Sequence, residues 1–567
     1  MSTQQRVCAR GRRSAWVNGH SDEACCVSMT VLRPPRDRGP ISGMLAVLTY
    51  ARLAARRIGH QEVTMTDEPS HDTPLAGPEL GQIVSVDPAT GEVVGRFPLG
   101  STDDVHQLAD RAQIAAQWWT DLGPVARRER LLAWAGVISR GLPRLAELVH
   151  RENGKPNGDA VLEIVAAVDH LAWAAKNAAR VLHQRRRPSG LLGIDIRYEV
   201  AWLPYGVVGV IGPWNYPVLT PMGSLAFALA AGNAVIFKPS EFTPAVGDWL
   251  VDAFAQVVPE QPVLSLLTGD ASTGAALCRA GVNKIAFTGS TTTAKKVMAA
   301  CAESLTPVLL ECGGKDAIVV AEDADIKAAA DAAVWGAMSN GGQTCIGIER
   351  AYVAAAVYDQ FLAEVQRRTS PLRPGSDPAA SYGPITMPSQ RSVIARHVAD
   401  ALSRGGKAVV GGEASIGEHF VSPIVLVDVP EDSSAILEET FGPTLTILRV
   451  RDGDEAVDRA NATSYGLGGS VYSKHRGAEL AARMRAGMVS VNSVMAFAFG
   501  VAVPFGGVGD SGFGRIHGPE GLKEFAWPKT IATRRLPVLM PIVSFDRQAA
   551  TTNLLTRITI LRHGRRT

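Results

Sequence analysis

The sequence lacks the features that mark several large classes of protein. No apolar run approaches the roughly 20 residues that a helix needs to span a bilayer. The net charge is only +2 over 567 residues, whereas nucleic-acid-binding domains are usually strongly basic. The seven cysteines show no CxxC pair and no regular spacing, so neither a metal site nor a disulfide framework is predicted. The remaining class is a cytoplasmic globular enzyme that does not bind nucleic acid.

The beginning of the chain differs in composition from the rest. Residues 1–64 contain ten arginines, no lysine and four acidic residues, a charge of +6, so residues 65–567 carry −4 of the total of +2. The apolar segment Gly43–Tyr50 is too short and too far from the first residue for a secretory signal. We therefore expect residues 1–70 to be a disordered extension, or the start to be assigned too early, with Met44 or Met65 as the true first residue.

The segment between Gly206 and Val320 alternates short apolar, β-branched runs with helical ones. This alternation is typical of a parallel sheet covered by helices on both faces. Such sheets bind ligands at the carboxyl ends of their strands. The polar and glycine residues that follow the predicted strands are Trp214, Asn215, Lys238, Glu241, Gly269, Gly289, Ser290 and Glu311. They form the candidate ligand site of this half.

Cys345 is the candidate nucleophile. It ends the stretch Asn-Gly-Gly-Gln-Thr-Cys, which follows an apolar run and gives the backbone close access. A free cysteine is more often a small buried hydrophobe. The chemical interpretation gains weight because the chain also carries Asn215 in Pro-Trp-Asn-Tyr-Pro, Glu311 in Glu-Cys-Gly-Gly-Lys and Glu439 in Glu-Glu-Thr-Phe-Gly-Pro.

These four motifs, in this order, resemble those of the NAD(P)-dependent aldehyde dehydrogenases. The resemblance runs from about Ile83 to about Arg535. It implies an α/β fold with a Rossmann-like cofactor domain, an α/β catalytic domain and a β-arm for oligomerisation as a homodimer or homotetramer. The expected division is 1–70 extension, 71–185 and 206–313 NAD-binding domain, 314–513 catalytic domain, 186–205 and 527–545 oligomerisation arm, and 546–567 basic tail.

The resemblance also assigns residues to the cofactor. The matched positions are Ile211, Trp214, Lys238, Glu241, Gly269, Gly289, Ser290, Glu439 and Phe441. A carboxylate at Glu241 can accept hydrogen bonds from the ribose hydroxyls and repels a 2′-phosphate, which favours NAD over NADP, although some relatives with this residue accept both. The chain departs from the family at Ala294, where a glycine is usual, and at Asp316, where asparagine is commoner.

The expected chemistry begins with attack by the Cys345 thiolate on the aldehyde carbon. The pKa of this thiol must fall below its ordinary value of about 8.5 for a useful thiolate fraction at neutral pH. The Asn215 amide and the Cys345 backbone N–H are expected to hold the oxyanion. After hydride transfer, Glu311 is expected to deprotonate the water that hydrolyses the thioester. Because relatives that transfer the acyl group to coenzyme A can lack this glutamate, the chain is predicted to be hydrolytic.

The matched substrate positions are apolar or small. They are Tyr216, Gly223, Ile346, Phe499 and Phe505, and glycine at 223, where many relatives carry a bulkier residue, predicts room. We therefore expect an aliphatic or aromatic aldehyde. One alternative is a carboxylated semialdehyde such as succinate semialdehyde, which would need a cation, and Arg350 keeps that alternative open. The other alternative is an inactive structural or binding protein on the same fold.

The end of the chain is basic. Residues 554–566 mix apolar residues with four arginines, and a basic amphipathic segment can lie on an anionic membrane surface. A packed or frayed tail is the commoner outcome, so membrane association is the less favoured interpretation.

Overall fold

A computed structural model describes residues 81–535 and 542–564. The extension or late start predicted for residues 1–70 lies outside the described residues. Within the described ranges, no helix combines the length and the apolar composition needed to cross a membrane. The same ranges contain no cluster of three or more potential metal-ligating side chains.

Fifteen α-helices and eighteen strands make up the described part of the chain. The helices are α1 (Thr102–Asp121), α2 (Gly123–Asn153), α3 (Asn157–Val181), α4 (Leu219–Ala231), α5 (Pro244–Ala255), α6 (Ala271–Arg279), α7 (Thr291–Ala302), α8 (Ile326–Met338), α9 (Tyr358–Thr369), α10 (Gln390–Ser403), α11 (Ser434–Leu437), α12 (Gly453–Ala460), α13 (Gly477–Arg483), α14 (Gly518–Glu524) and α15 (Ala549–His563). The strands are β1 (Gln82–Val86), β2 (Val93–Pro98), β3 (Arg185–Arg187), β4 (Ile196–Pro204), β5 (Val207–Ile211), β6 (Ala234–Lys238), β7 (Leu264–Leu266), β8 (Lys284–Thr288), β9 (Val308–Glu311), β10 (Asp316–Val320), β11 (Ile348–Ala354), β12 (Lys407–Val410), β13 (Ile424–Val427), β14 (Thr444–Val450), β15 (Gly469–Tyr472), β16 (Ser490–Val491), β17 (Gly512–Phe513) and β18 (Ala526–Arg534).

The first sheet carries the predicted cofactor half. Its order is β17-β9-β8-β5-β6-β7. The five strands β5 to β9 run parallel to one another, as the apolar runs predict. Helices α1 to α7 contribute buried side chains to one core with these strands. Ser101 starts α1 with a capping box, in which its hydroxyl accepts from the Asp104 backbone N–H and the Asp104 carboxylate accepts in return.

The second sheet forms the catalytic half. Its order is β12-β13-β14-β11-β10-β15-β16, with β12 as the antiparallel edge strand. The apolar run at 318–320 belongs here as part of β10, so the alternating segment of the cofactor sheet ends before Val320. The predicted domain division at residue 314 assigns the run to the catalytic half. The run's own residues do not indicate which sheet it joins, because that depends on the distant strands with which it forms hydrogen bonds, here β11 and β15. Conversely, β17 leaves the catalytic segment and pairs antiparallel with β9.

A third sheet, β18-β4-β3, coincides with the predicted arm. The late strand begins at Ala526, one residue before the predicted arm segment 527–545, and pairs over its whole length with β4. Residues 536–541 of that predicted segment lie outside the described residues. Beyond Ala526, the side chains of β18 are exposed. Helix α15 carries no buried residue.

Candidate active site

Cys345 lies in a tight loop between the end of α8 and the start of β11. The loop turns through three consecutive residues with positive φ, Asn340 at 53°, Gly341 at 64° and Gly342 at 73°. A Cβ on Gly342 would lie 1.9 Å from the carbonyl oxygen of Gly442, so the close approach of the two backbones requires glycine. The glycines of the motif therefore have a backbone reason that is independent of chemistry.

Gln343 fixes this loop to a neighbouring segment. Its side-chain amide donates to the carbonyls of Asn340 at 2.8 Å and Pro384 at 3.1 Å, and its Oε1 accepts from the Thr386 N–H at 2.8 Å. The side chain is almost completely buried. Gln343 therefore positions the two residues that follow it, Thr344 and Cys345.

Asn215 is brought to the same loop from the other half of the molecule. It follows β5, and its Nδ2 donates to the carbonyl oxygen of Gln343 at 3.0 Å. An amide carries two N–H donors, so one donor remains beyond this bond. The next residue repeats the connection, because the Tyr216 hydroxyl lies 3.1 Å from Thr344 Oγ1.

Glu311 ends β9 opposite Thr288 of β8 and lines the same cavity as Cys345. Its Oε2 is 3.5 Å from the Thr288 hydroxyl, and its Oε1 has no hydrogen-bond partner among the described residues. Burial raises the pKa of Glu311 to about 8, since a charged carboxylate is poorly solvated there. A carboxyl poised near neutral pH is suited to exchanging protons.

The pKa of Cys345 differs from the sequence prediction. Burial raises it above the ordinary value, and the carboxyl groups of Glu311, Glu439 and Asp316 add to the rise, whereas the Ile346 backbone N–H lowers it. The predicted fall in pKa is therefore wrong for this resting site. These three acidic groups come from two segments, residues 311–316 and Glu439, and the distance between those segments in the sequence concealed their convergence on the thiol.

Glu439 and Phe441 are held by a buried ion pair. Lys315 and Glu349 contact each other, and the Glu349 carboxylate accepts from the backbone N–H groups of Thr440 and Phe441. Glu439 accepts from the Gly314 N–H at 2.9 Å, and burial raises its pKa to about 8.

The Phe441 ring meets Trp214 edge to face, with ring centroids 5.6 Å apart. These contacts bring the predicted nicotinamide-side residues Trp214, Glu439 and Phe441 together.

The ribose-side candidates lie at the carboxyl end of β6. Lys238 Nζ is 3.9 Å from Glu241 Oε2, and burial lowers the pKa of Lys238. Ile211 ends the neighbouring strand β5, and Gly274 lies against the Lys238 side chain. A carboxylate and an ammonium side by side suit the hydroxyl-rich end of a dinucleotide.

The phosphate-side candidates precede two helices. Ser290 caps α7, and its hydroxyl accepts from the Thr293 N–H. The other N–H groups of the first turn have no partner within the helix and are available to a pyrophosphate. Gly289 precedes it, and a Cβ there would lie 2.6 Å from the Phe287 ring. Gly269 precedes α6, where a Cβ would lie 2.1 Å from Thr273 Oγ1. The donor set of this edge therefore fits a dinucleotide.

A single apolar cavity reaches Cys345 and Glu311. Four of the five predicted pocket residues line it, namely Tyr216, Ile346, Phe499 and Phe505. Gly223 does not line it: a Cβ on Gly223 would lie 2.6 Å from Ile516 Cδ1 and 2.9 Å from His517 Nε2. The predicted room beside Gly223 is taken up by these two side chains. Arg350 is also absent from the lining, because its guanidinium donates to the carbonyls of Lys315 and Ala460.

Sequence reasoning missed two buried pairs that line the cavity in part. Lys155 and Glu163 form an ion pair with no solvent exposure, and Lys155 also donates to the Asn215 carbonyl at 2.9 Å. His170 and His517 stack with ring centroids 3.6 Å apart. A non-glycine residue at the φ of 60° and ψ of 165° seen for His517 costs on the order of 1–3 kcal/mol. Neither pair forms a recognisable motif: Lys155 and Glu163 are eight residues apart in no characteristic pattern, and His170 and His517 come from distant segments.

Substituting Lys155 by methionine is expected to destabilise the fold by about 3–5 kcal/mol, because the Glu163 carboxylate would be left buried without its partner. Glu163 also accepts from the Val218 and Leu219 N–H groups, which fix the start of α4. The thermal midpoint should fall in Lys155→Met and recover largely in the double variant Lys155→Met/Glu163→Gln. Equal midpoints for the parent and Lys155→Met would contradict this role.

The fold and site together define a class: a two-domain α/β oxidoreductase with a dinucleotide edge, a cysteine and a buried carboxyl beside one apolar cavity. Comparisons with known proteins agree. The model of the aldehyde dehydrogenase family matches residues 76–531. A Methylomonas protein named 4,4'-diapolycopene aldehyde oxidase is 38% identical over 80% of this chain and 86% of its own length.

Two further comparisons extend the agreement. A Mycobacterium ulcerans protein provisionally named succinate-semialdehyde dehydrogenase, NADP(+)-dependent, is 34% identical over 80% of this chain and 88% of its own length. The crystal structure of an aldehyde dehydrogenase from Brucella melitensis is similar with a TM-score of 0.77 and 31% identity, covering 80% of this chain and 94% of that chain. The chain belongs to the aldehyde dehydrogenase family and is an oxidoreductase that acts on aldehydes.

Proposed function

We propose that the protein oxidises apolar aliphatic or aromatic aldehydes to carboxylic acids, with NAD as the preferred coenzyme. The observation that carries this proposal is the lining of the cavity at Cys345. Exposed apolar side chains surround its opening, and apolar or aromatic side chains continue inward. Those at the opening are Leu162, Trp335 and Phe499.

The charges around the cavity support the same substrate class. Among the described lining residues, Lys155 is the one lysine or arginine, and it is already paired with Glu163. A substrate carboxylate would therefore meet no available cation. The second candidate, a carboxylated semialdehyde, is favoured by the name of the Mycobacterium relative.

The chain's own residues support a thiol mechanism. Because the pKa of Cys345 is raised, the thiol enters the reaction as S–H and must lose its proton as its sulfur bonds to the aldehyde carbon. Glu311 can accept that proton when its side chain is in the deprotonated, carboxylate form. The free N–H of Asn215 and the Cys345 backbone N–H would hold the oxyanion. Glu311 would release that proton to solvent before the second half, in which it would take a proton from water as the water oxygen attacks the acyl carbon and the cysteine leaves as a thiolate.

The coenzyme would be held by Lys238, Glu241 and Ser290 at one end and by Trp214, Glu439 and Phe441 at the other. When bound, an oxidised nicotinamide supplies a hydride acceptor and a positive charge. Glu439 and Phe441 would orient it through the loop that Glu349 fixes.

The test is reduced-coenzyme formation over a panel of aldehydes graded by chain length and distal charge, with NAD and NADP in parallel and with oxygen removed. Turnover of apolar aldehydes without oxygen supports the proposal. Turnover confined to carboxylated semialdehydes would favour the second candidate. Turnover that needs oxygen would indicate an oxidase, and no turnover with any aldehyde would favour an inactive scaffold.

Replacing Glu241 by serine is expected to raise the NADP to NAD ratio of kcat/KM by about tenfold or more, because the carboxylate that repels a 2′-phosphate is removed while Lys238 remains. The matched control is Glu260→Ser, an exposed glutamate that contacts Arg130. Steady-state kinetics with each coenzyme measure the ratio. A parent enzyme that already prefers NADP would contradict the assignment of Glu241.

We further propose that the protein assembles as a homodimer or homotetramer through the arm of β3, β4 and β18. The exposed apolar residues Trp527 and Ile531 on β18 support an interface there. Light scattering of the purified protein tests this, and a monomer at micromolar concentration would contradict it.

A further inference from the structure

The wall of the cavity carries an imidazole pair that the proposed chemistry leaves unused. His517 lines the cavity just before α14, and its ring stacks on that of His170 from α3, with 23° between the ring planes. Their exposed fractions are 4% and 0%. Two histidines are therefore removed from water beside the space that the substrate would fill.

The hydrogen bonds of the pair are incomplete. His170 Nε2 lies 3.2 Å from the carbonyl oxygen of Ala498, and because a carbonyl can only accept, this nitrogen carries the proton. Neither ring nitrogen of His517 has a partner among the residues that the structure describes. Buried polar atoms are almost always hydrogen-bonded in folded proteins. A neutral imidazole has one donor and one acceptor, so His517 can still bind a polar group.

Packing holds the His517 ring where it is. Phe227 and Phe505 lie 5.8 and 5.6 Å from it between ring centroids, and His170 covers one face. On the edge that carries Nε2, the absence of a side chain at Gly223 leaves the space that the ring uses. The backbone of His517 adopts a positive φ that glycine strongly prefers. Such a conformation persists only when the surroundings enforce it, and His517 is one of the residues that line the cavity.

The electrostatic surroundings decide what kind of group this ring can bind. Burial lowers the pKa of His517 well below its ordinary value, and the adjacent His170 lowers it further. Burial lowers the pKa of His170 as well. Both rings are therefore neutral at neutral pH, so His517 offers hydrogen bonds without a positive charge for a carboxylate.

We propose that His517 is a specificity-determining residue that hydrogen-bonds a neutral polar group, a hydroxyl or a carbonyl, on the substrate chain away from the reacting aldehyde. This inference rests on the proposed function, because it describes the substrate of the same cavity. Phe505 and Ile346 supply the apolar contacts, and His517 supplies the polar one. The preferred substrate is thus an apolar aldehyde with a second, uncharged oxygen function.

The test compares alkanals with ω-hydroxyalkanals of the same length over a homologous series. At one chain length, we expect kcat/KM to be about fivefold higher for the hydroxylated member, the usual size of one neutral hydrogen bond. His517→Phe keeps the size and aromatic packing of the ring and should bring the ratio of the two kcat/KM values to about one. His517→Asn keeps a donor and an acceptor and tolerates positive φ, so it should retain part of the preference. The control His106→Phe changes an exposed histidine on α1.

Two kinetic results would overturn the proposal. One is equal kcat/KM for both members at every chain length in the parent. The other is a hydroxyl preference that survives in His517→Phe.

A binding measurement separates this proposal from the proposed function. Calorimetry of alkanols and α,ω-diols with the full-length protein needs no turnover. About fivefold tighter binding of a diol than of its matched alkanol, lost in His517→Phe, would support the site even if no aldehyde were oxidised. Equal binding of the two probes would overturn the site even if apolar aldehydes were good substrates.

Discussion

Replacing Cys345 by alanine is expected to lower kcat/KM for every aldehyde substrate by about 10⁴-fold or more, because the covalent step loses its nucleophile. The loop itself should persist, since Gln343 and the left-handed turn at Asn340 to Gly342 hold it without help from the thiol. Initial rates of reduced-coenzyme formation measure the loss, and retained coenzyme binding, followed by fluorescence quenching, shows that the fold is intact.

The matched control is Cys301→Ala. Cys301 is a buried cysteine on α7 that lies outside the cavity. Its kcat/KM should stay within about threefold of the parent, because its removal affects packing rather than chemistry. Comparable losses in the two variants would indicate that both act through stability, and the assignment of Cys345 as the nucleophile would then fail.

The parts of the site that could be predicted are those in which the backbone at that position requires a particular residue type. Gly342 is a glycine because another backbone passes within van der Waals distance, and Ser290 follows a strand because it caps the next helix. Such requirements leave motifs that can be recognised in one sequence. The strands of the cofactor sheet were predictable for a similar reason, since a strand buried on both faces reads as a continuous apolar run.

The unpredicted parts depend on which distant segments meet. His170 contacts His517 and Ala498, more than 300 residues away, and neither histidine stands in a pattern that announces the other. The prediction of room at Gly223 was wrong for the same cause, because the absent side chain accommodates His517 instead of substrate. The raised pKa of Cys345 likewise results first from burial and then from carboxyls that two separate segments supply, residues 311–316 and Glu439.

Replacing Glu311 by glutamine is expected to lower kcat by about 10²–10⁴-fold, because the variant can accept no proton from the attacking water. The first half of the reaction also loses Glu311 as a proton acceptor, but it should suffer less because the thiol can pass its proton to solvent, so one equivalent of reduced coenzyme should form faster than the later turnovers and the acyl group should remain on Cys345. Rapid-mixing kinetics detect that burst, and intact mass detects the trapped acyl group. The control Glu303→Gln changes an exposed glutamate that contacts Arg279.

The pH dependence gives Glu311 a second test. Its pKa is raised to about 8, so the deprotonated fraction of Glu311 decreases below that pH and increases above it. The kcat of the parent should therefore rise with pH through about 8, and Glu311→Gln should lose this rise. Glu439 has a pKa raised to about 8 as well, but its carboxylate already accepts from Gly314. A rise that persists in Glu311→Gln and disappears in Glu439→Gln would contradict the assignment of Glu311 as the base, because the pH dependence of kcat would then follow the ionisation of Glu439.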